Sequence, residues 1–415
     1  MRNLKIGVFG TGRGAGLADN FKALGCEITA ICDCHKERRE AAAAHFGEGT
    51  AVYDNFDAFI EHGFDAVILA NYFHEHAPYA IKCLERGIHV YSECMSSGTM
   101  AESVALIRAA EKSDAVYFLA ENYPQMLFNR EMKRIVDGGT LGKILFAEGE
   151  YNHPVSGWDV GFLKTYTYFP KHWRNYIPRT YYVTHSLGPL MHNTGATPTK
   201  VTAYAVFNPP MDDIPNASMC GDRSAVITTQ NDDGSVFQVS ACSAYGGHGN
   251  SYRICGTRGQ MENLRVPGNR FVVHYNGWDV PEGKQEYNEY VPEWHDDDED
   301  EIVKSGHGGA DYITARMFLE CIENHHQPEL PFDVYSATTM ASVSILAHRS
   351  VLAGGKTFDI PDFHTEEARK QYENDTLTPF YCYDGTVEPS LPCCSHPDYR
   401  PTDEQVRLYH EHVMQ

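Results

Sequence analysis

The sequence predicts two α/β domains in series: an N-terminal doubly wound parallel sheet, then an α+β domain whose sheet is mostly antiparallel. Three observations predict this. Short apolar runs alternate with helical periodicity as far as residue 120, strands then succeed strands from residue 143, and 415 residues exceed what one compact core accommodates.

Strand-like runs fall near 4–10, 27–33, 65–70, 88–91 and 115–119, with helical stretches at 14–24, 36–46, 74–86 and 100–113 between them. Ala66-Val67-Ile68-Leu69 is apolar at every position, as a parallel strand covered on both faces requires. A helix at 126–137 closes in Asp137-Gly138-Gly139, a C-cap and turn. Strands follow at 143–152, 199–207, 223–230, 235–243, 251–256 and 270–276, with a turn signal at Asp232-Asp233-Gly234. Helices at 310–325 and 335–353 come next. The expected division is 1–123, 124–360, and an extension 361–415 that packs on the domain or on a neighbouring subunit. The acidic run 296–301 reads as a solvated loop.

A net charge of −22 repels nucleic acid and anionic membranes, so neither is expected as a partner. The chain enters a strand pattern at Leu4 without a leader pattern, and no apolar run reaches the length of a membrane span. A cytoplasmic location is expected, and with it twelve reduced thiols rather than disulfides. Cys393-Cys394-Ser395-His396, with Cys382 upstream, lacks the paired spacing of a zinc site, and no metal is expected.

The first strand runs into Gly10-Thr11-Gly12-Arg13-Gly14-Ala15-Gly16, and a helical segment follows. This is a dinucleotide fingerprint of the Rossmann type, with Gly10, Gly12 and Ala15 in its three key places. Glycine permits the tight turn and the approach of the pyrophosphate, and the helix N-terminus presents N–H groups to the anion. The second strand ends in Asp33, whose carboxylate suits ribose hydroxyls and opposes a 2′-phosphate, so NAD is the expected cofactor. Arg13 is a further phosphate contact in the same loop.

These segments resemble the Gfo/Idh/MocA family, named for glucose-fructose oxidoreductase and inositol dehydrogenase. Ala70-Asn71-Tyr72-Phe73-His74-Glu75-His76, with the segment to Val90, is similar to the family's loop over the nicotinamide side, which implies cofactor roles for Asn71 and His76. The resemblance also implies a large open sheet in the second domain, whose flat face often makes an oligomer contact; a homo-oligomer, dimer or tetramer, is the expectation. The family usually has Glu-Lys-Pro after the fifth strand. This chain has Glu93-Cys94-Met95, so Glu93 matches and the lysine does not.

Thr180-Tyr181-Tyr182-Val183-Thr184-His185-Ser186-Leu187-Gly188-Pro189 places His185 where the family carries the base for the hydroxyl proton, a task a neutral imidazole suits. The family's usual aspartate before this histidine is missing, and Tyr181 or Tyr182 occupies its neighbourhood. That segment resembles the branch of family 109 glycoside hydrolases, which use NAD without consuming it. The resemblance implies a small sugar or glycoside substrate, with hydride transfer at a ring hydroxyl, carbon 3 being the expected position. It implies His185 and Tyr182 as catalytic residues, Tyr182 with a phenol lowered by nearby positive charge, and NAD held tightly and recycled if the net reaction is hydrolysis. Glu121 and Tyr151 are expected at the sugar and Asn122 at the cofactor. Trp173 and Arg174 offer an aromatic face and a guanidinium to a sugar or its anionic substituent, and His307 and Tyr312 follow glycines that let a backbone approach a ligand. A net dehydrogenase is the alternative outcome. A sugar or NAD sensor without turnover is a third.

Overall fold

A computed structural model describes residues 3–166, 170–382 and 385–414. Six parallel strands form the first sheet: β1 (Lys5–Phe9), β2 (Glu27–Cys32), β3 (Ala51–Tyr53), β4 (Ala66–Leu69), β5 (His89–Ser92) and β6 (Tyr117–Leu119). Their order is β3-β2-β1-β4-β5-β6, so connections leave β1 in opposite directions and open a crevice at the carboxyl ends of β1 and β4. β4 is buried at every position, β1 at all but its end residues and β5 at all but its first, which is why they read as apolar runs. β3 has three residues, too few for a periodic signal, and the sequence reading lacks it.

The second sheet has nine strands: β7 (Ile144–Asn152), β8 (Pro198–Phe207), β9 (Asp222–Asn231), β10 (Val236–Ser240), β11 (Gly249–Gly256), β12 (Gly259–Asn263), β13 (Phe271–Tyr275), β14 (Tyr287–Tyr290) and β15 (Phe358–Asp359). Its order is β14-β13-β12-β11-β7-β10-β9-β8-β15, antiparallel except where β7 meets β10. β12, β14 and β15 are additions to the sequence reading. The helices Thr184–Thr194 and Val334–Leu352 pack on one face. Contact is close at Gly149, where a Cβ would stand 2.2 Å from the Ser186 carbonyl oxygen. The other face exposes Tyr204 and Val226, opposite one another in register.

The helix Ala310–Glu323 returns to the first sheet. Ile313, Phe318 and Leu319 join one core with Ile6, Val8, Phe21, Tyr91 and Phe118. In packing terms, the cofactor layer therefore takes in a helix some two hundred residues beyond position 123 in the sequence.

The acidic run is only partly a loop. Glu299–Lys304 is a helix with acidic residues in its first turn, where the helix dipole favours them. Asp296 and Asp298 grip Arg316 at 2.7 and 2.8 Å, and Arg316 holds the Asp296 carboxyl down at about 2. The extension carries two helices, Glu366–Tyr372 and Asp403–His412, and the latter buries Tyr409 and Val413 against Leu163 and Ala217. Phe380 stacks on His74 at 4.5 Å, and the Tyr381 carbonyl lies 3.0 Å from His74 Nε2, so the extension also covers the loop after β4. Among the described residues, no helix is long and apolar enough to cross a membrane.

Candidate active site

The cofactor loop occupies the crevice. Gly10 has φ +88°, and a Cβ there would stand 2.2 Å from the Ala70 carbonyl oxygen, so only glycine fits. Thr11 donates to Asp33 Oδ2 from its backbone nitrogen at 2.7 Å and its hydroxyl at 3.0 Å, and the His35 amide bonds Oδ1 at 2.9 Å. Asp33 is thus fixed at the end of β2 against the turn after β1. The third key place of the fingerprint is Gly14 rather than Ala15. A Cβ on Gly14 would meet Val8 Cγ1 at 2.8 Å, while Ala15 is half-exposed on the outer side of the helix Thr11–Ala23. A helix N-terminus, a positive-φ glycine against β4 and a carboxylate at the end of β2 together fit a dinucleotide.

Several expected contacts are redirected. The Arg13 guanidinium, expected at phosphate, pairs with Glu93 at 3.1 Å and with Asp311 at 2.6 Å. The Asn122 amide donates to Asp311 Oδ1 at 2.7 Å. His307 Nδ1 lies 3.0 Å from Asp311 Oδ2. Asp311, which the sequence reading leaves out, is the hub joining the glycine loop, β5, β6 and the returning helix, and its carboxyl is held far below the usual range. Burial opposes this, but His307 and Arg13 outweigh it. His76 is buried with Nδ1 2.8 Å from the Met95 carbonyl, and Asn71 donates to the Glu75 carbonyl at 3.2 Å, its own Oδ1 buried and unpartnered in the crevice.

His185 sits in the first turn of the helix Thr184–Thr194. Its Nδ1 lies 2.8 Å from Glu121 Oε1 and 3.1 Å from Oε2. Glu121 is fully buried, so it cannot touch a sugar as the sequence reading expects; it orients His185 instead. Burial pushes the Glu121 carboxyl up, but the His185 ring and hydrogen bonds from His185, Thr184 and Cys94 hold it below its ordinary value. Cys94 donates to Glu121 Oε2 at 3.1 Å, so the place of the missing lysine holds a neutral thiol aimed at this carboxylate.

Three phenols enclose the imidazole. Tyr123 stacks on it at 4.0 Å, and Tyr151 and Tyr182 meet it edge-on at 5.1 and 5.3 Å. The Tyr182 phenol is raised, not lowered: burial and Tyr151 push it well above the usual range, and Arg174 offsets only part. Tyr151 rises less, to about 12, because Tyr123 donates to it and Arg174 is near. Tyr182 stacks on Phe73 at 5.7 Å, Phe73 on Trp173 at 5.0 Å, and Arg174 lies 4.3 Å above the Trp173 ring. This column runs from the loop after β4 to the second domain. Phe73 falls in the loop the sequence reading quotes, but nothing local marks it for stacking. His307 stands 6.0 Å from Tyr123. Tyr312 lies elsewhere, in the core of the first sheet with its hydroxyl on Asp298.

Asp33, Cys34 and His35 form the one grouping of three metal-capable side chains within 4.8 Å among the described residues, and Asp33 is already spent on Thr11 and His35. Among the described residues, the thiols of the extension gather no such set.

Comparison with known proteins agrees with this architecture. Residues 4–121 match the model of the oxidoreductase family with the NAD-binding Rossmann fold, and residues 220–370 match the glycosyl hydrolase 109 C-terminal domain. A glycosyl hydrolase family 109 protein of Shewanella sp. strain W3-18-1 is 26% identical over 405 residues, covering 87% of this chain and 85% of that protein. The alpha-N-acetylgalactosaminidase of Shewanella oneidensis is 25% identical over 399 residues, covering 88% and 85%. Levoglucosan dehydrogenase in complex with NADH and levoglucosan shares the fold at a TM-score of 0.71 and 18% identity, covering 87% of this chain and 100% of that one. So does myo-inositol 2-dehydrogenase from Lactobacillus plantarum, at 0.65 and 18%, covering 86% and 100%. Fold and crevice thus define an NAD-dependent enzyme with a Rossmann domain and a mixed-sheet domain. The chain is similar to the Gfo/Idh/MocA oxidoreductase family over residues 4–121 and to family 109 of the glycosyl hydrolases over residues 220–370.

Proposed function

We propose that the chain hydrolyses a small glycoside by a redox-assisted cycle centred on carbon 3 of the sugar. The observation that carries this reading is the His185–Glu121 pair enclosed by Tyr123, Tyr151 and Tyr182, with neutral Cys94 in place of a lysine. NAD, when bound, supplies a hydride acceptor that returns the hydride at the end of the cycle. His185 takes the carbon 3 hydroxyl proton on Nε2, and Glu121 steadies the resulting charge through Nδ1. A ketone at carbon 3 acidifies the proton on carbon 2, whose loss expels the group on carbon 1, and water then adds there. Tyr151, with the smaller rise, relays that carbon 2 proton: its own phenol proton passes to the departing oxygen on carbon 1 as the carbon 2 proton arrives, so the phenol is neutral before and after the step. Tyr182 keeps its proton and donates to a sugar oxygen. Trp173 and Arg174 form the wall of the sugar site, His307 its rim, and the crevice retains the cofactor between turnovers. The likeness to an alpha-N-acetylgalactosaminidase supports a glycosidic substrate.

The test is a panel of nitrophenyl glycosides with and without NAD⁺, run in deuterated water. Nitrophenol release that depends on NAD⁺, without stoichiometric NADH and with deuterium at carbon 2 of the product, is the expected result. Steady NADH accumulation with the aglycone attached overturns the hydrolytic cycle and leaves a glycoside dehydrogenase. The reading includes a homo-oligomer, dimer or tetramer, to be measured by light scattering.

A further inference from the structure

Three arginines and two histidines converge on one end of the tyrosine cage. Arg174 lies over the Trp173 ring of the aromatic column, and its charge reaches the phenols of Tyr182 and Tyr151. Arg179 lies three positions before Tyr182, and its Nε donates to the Asp222 carbonyl at 3.2 Å. Arg223 donates to the Ala244 carbonyl at 3.4 Å. Between them runs the segment after β10, where the Cys242 amide donates to the Tyr182 carbonyl at 3.0 Å, and the Cys242 thiol lies in the field of Arg179 and Arg174. His153 continues β7 beyond Tyr151, stacks on that ring at 5.9 Å, and meets His248 at 4.9 Å.

Neither Arg179 nor Arg223 forms an ion pair among the described residues, in a chain of net charge −22. The side chain of Asp222, whose backbone carbonyl accepts from Arg179, is engaged by the extension: Ser395 donates to it from its amide at 2.8 Å and from its hydroxyl, and the Cys394 thiol lies 3.7 Å away. The extension thus engages the carboxylate of the residue next to Arg223, and the charge of Arg179 acts on Arg223. Burial and the charge of Arg179 both disfavour the Arg223 guanidinium, and no carboxylate is among its principal influences. Half-buried like charges of this kind carry a standing cost that an incoming anion removes.

We infer that Arg179 and Arg223, with Arg174 and His153, form a subsite for an anionic substituent, so that the substrate is a glycoside bearing a carboxylate, sulfate or phosphate ester. The inference rests on the glycosidase reading for its reaction but not for its binding, and the two are tested apart. Nitrophenyl glucoside and galactoside are compared with their uronides, 6-sulfates and 6-phosphates. A charged member is expected to exceed its neutral parent at least about tenfold in kcat/KM, the equivalent of 1.4 kcal/mol. Arg179→Gln and Arg223→Gln each lower kcat/KM for the charged substrate at least about tenfold more than for the neutral one, while Arg179→Lys recovers part of the difference. The uronide, sulfate and phosphate arms identify the anion. Binding is read separately, by thermal shift of the NAD⁺-loaded protein with free glucuronate, glucose 6-sulfate and glucose 6-phosphate against glucose and the inorganic salts. A shift with a charged sugar beyond that of glucose and the matching salt, lost in Arg223→Gln, supports the subsite even if no glycoside turns over. Neutral sugars that equal or exceed charged ones in both assays, or arginine variants that lower both substrates equally, overturn it.

Discussion

Glu121 and His185 are sixty-four positions apart, and their pairing decides how the site works. A carboxylate on Nδ1 fixes the tautomer that leaves Nε2 free to accept a proton, so Glu121→Gln keeps the shape and loses the charge. We expect kcat to fall by about 10²–10⁴-fold with KM for NAD⁺ nearly unchanged, as steady-state kinetics would show. The same carboxyl makes a pH prediction. Its value in the folded protein lies below the ordinary one, so its stabilisation is present above the ordinary carboxylate range and is lost as pH falls through the depressed value. Wild type should lose melting temperature on acidification more steeply than Glu121→Gln; parallel curves would remove this role. Tyr151→Phe and Tyr182→Phe separate two functions: the first should abolish deuterium uptake at carbon 2, and the second should slow release of the aglycone while uptake persists. At this scale the sequence carries the segment from Tyr182 to His185 because its residues are adjacent. It does not carry Glu121 as their partner, because burial and long-range contact have no local periodicity. The raised Tyr182 phenol escapes it for the same reason: positive charge nearby is legible, and desolvation is not.

Elements show the complementary pattern. Long helices and buried strands carry their own signal, so these elements are legible within two or three residues, while β3, β12, β14 and β15 are not. Ala51–Tyr53 and Phe358–Asp359 exist only because a neighbouring strand supplies hydrogen bonds to a short extended segment. The glycine loop is legible as a motif, yet its close-packed member is Gly14, set by the distance from helix to β1. Gly10→Ala forces a side chain into the Ala70 carbonyl at positive φ, and loss of NAD⁺ binding by calorimetry is the expected result. The Arg13 clasp is testable in the same way. Arg13→Ala deprives the buried Asp311 of a partner, and because Arg13 is itself 35% exposed and Asn122 and His307 still reach the carboxylate, the cost is below that of a fully buried pair, about 1–2 kcal/mol. A drop of several degrees in melting temperature is expected, with Arg13→Lys intermediate.

Across the whole molecule, the extension joins parts that the chain order separates. It reaches the loop after β4 through Phe380 and Tyr381, and the Pro392 carbonyl lies 2.7 Å from His348 Nε2 in the helix Val334–Leu352. A chain ending at 375 should therefore expose His74 and Phe73, with increased dye binding to apolar surface and faster release of NAD⁺. Proline and charge make this region look irregular, so its helices and anchor residues are set by the surface it covers rather than by a repeat of its own.

The returning helix Ala310–Glu323 also sets a schedule for synthesis. While the ribosome makes the second domain, the first sheet has one flank bare, with Ile6, Val8, Phe21, Tyr91 and Phe118 awaiting Ile313, Phe318 and Leu319. The nascent cofactor domain is consequently unfinished until residue 323 has emerged, and mixed-up pairing of bare flanks between neighbouring polysomal chains is the hazard this topology carries.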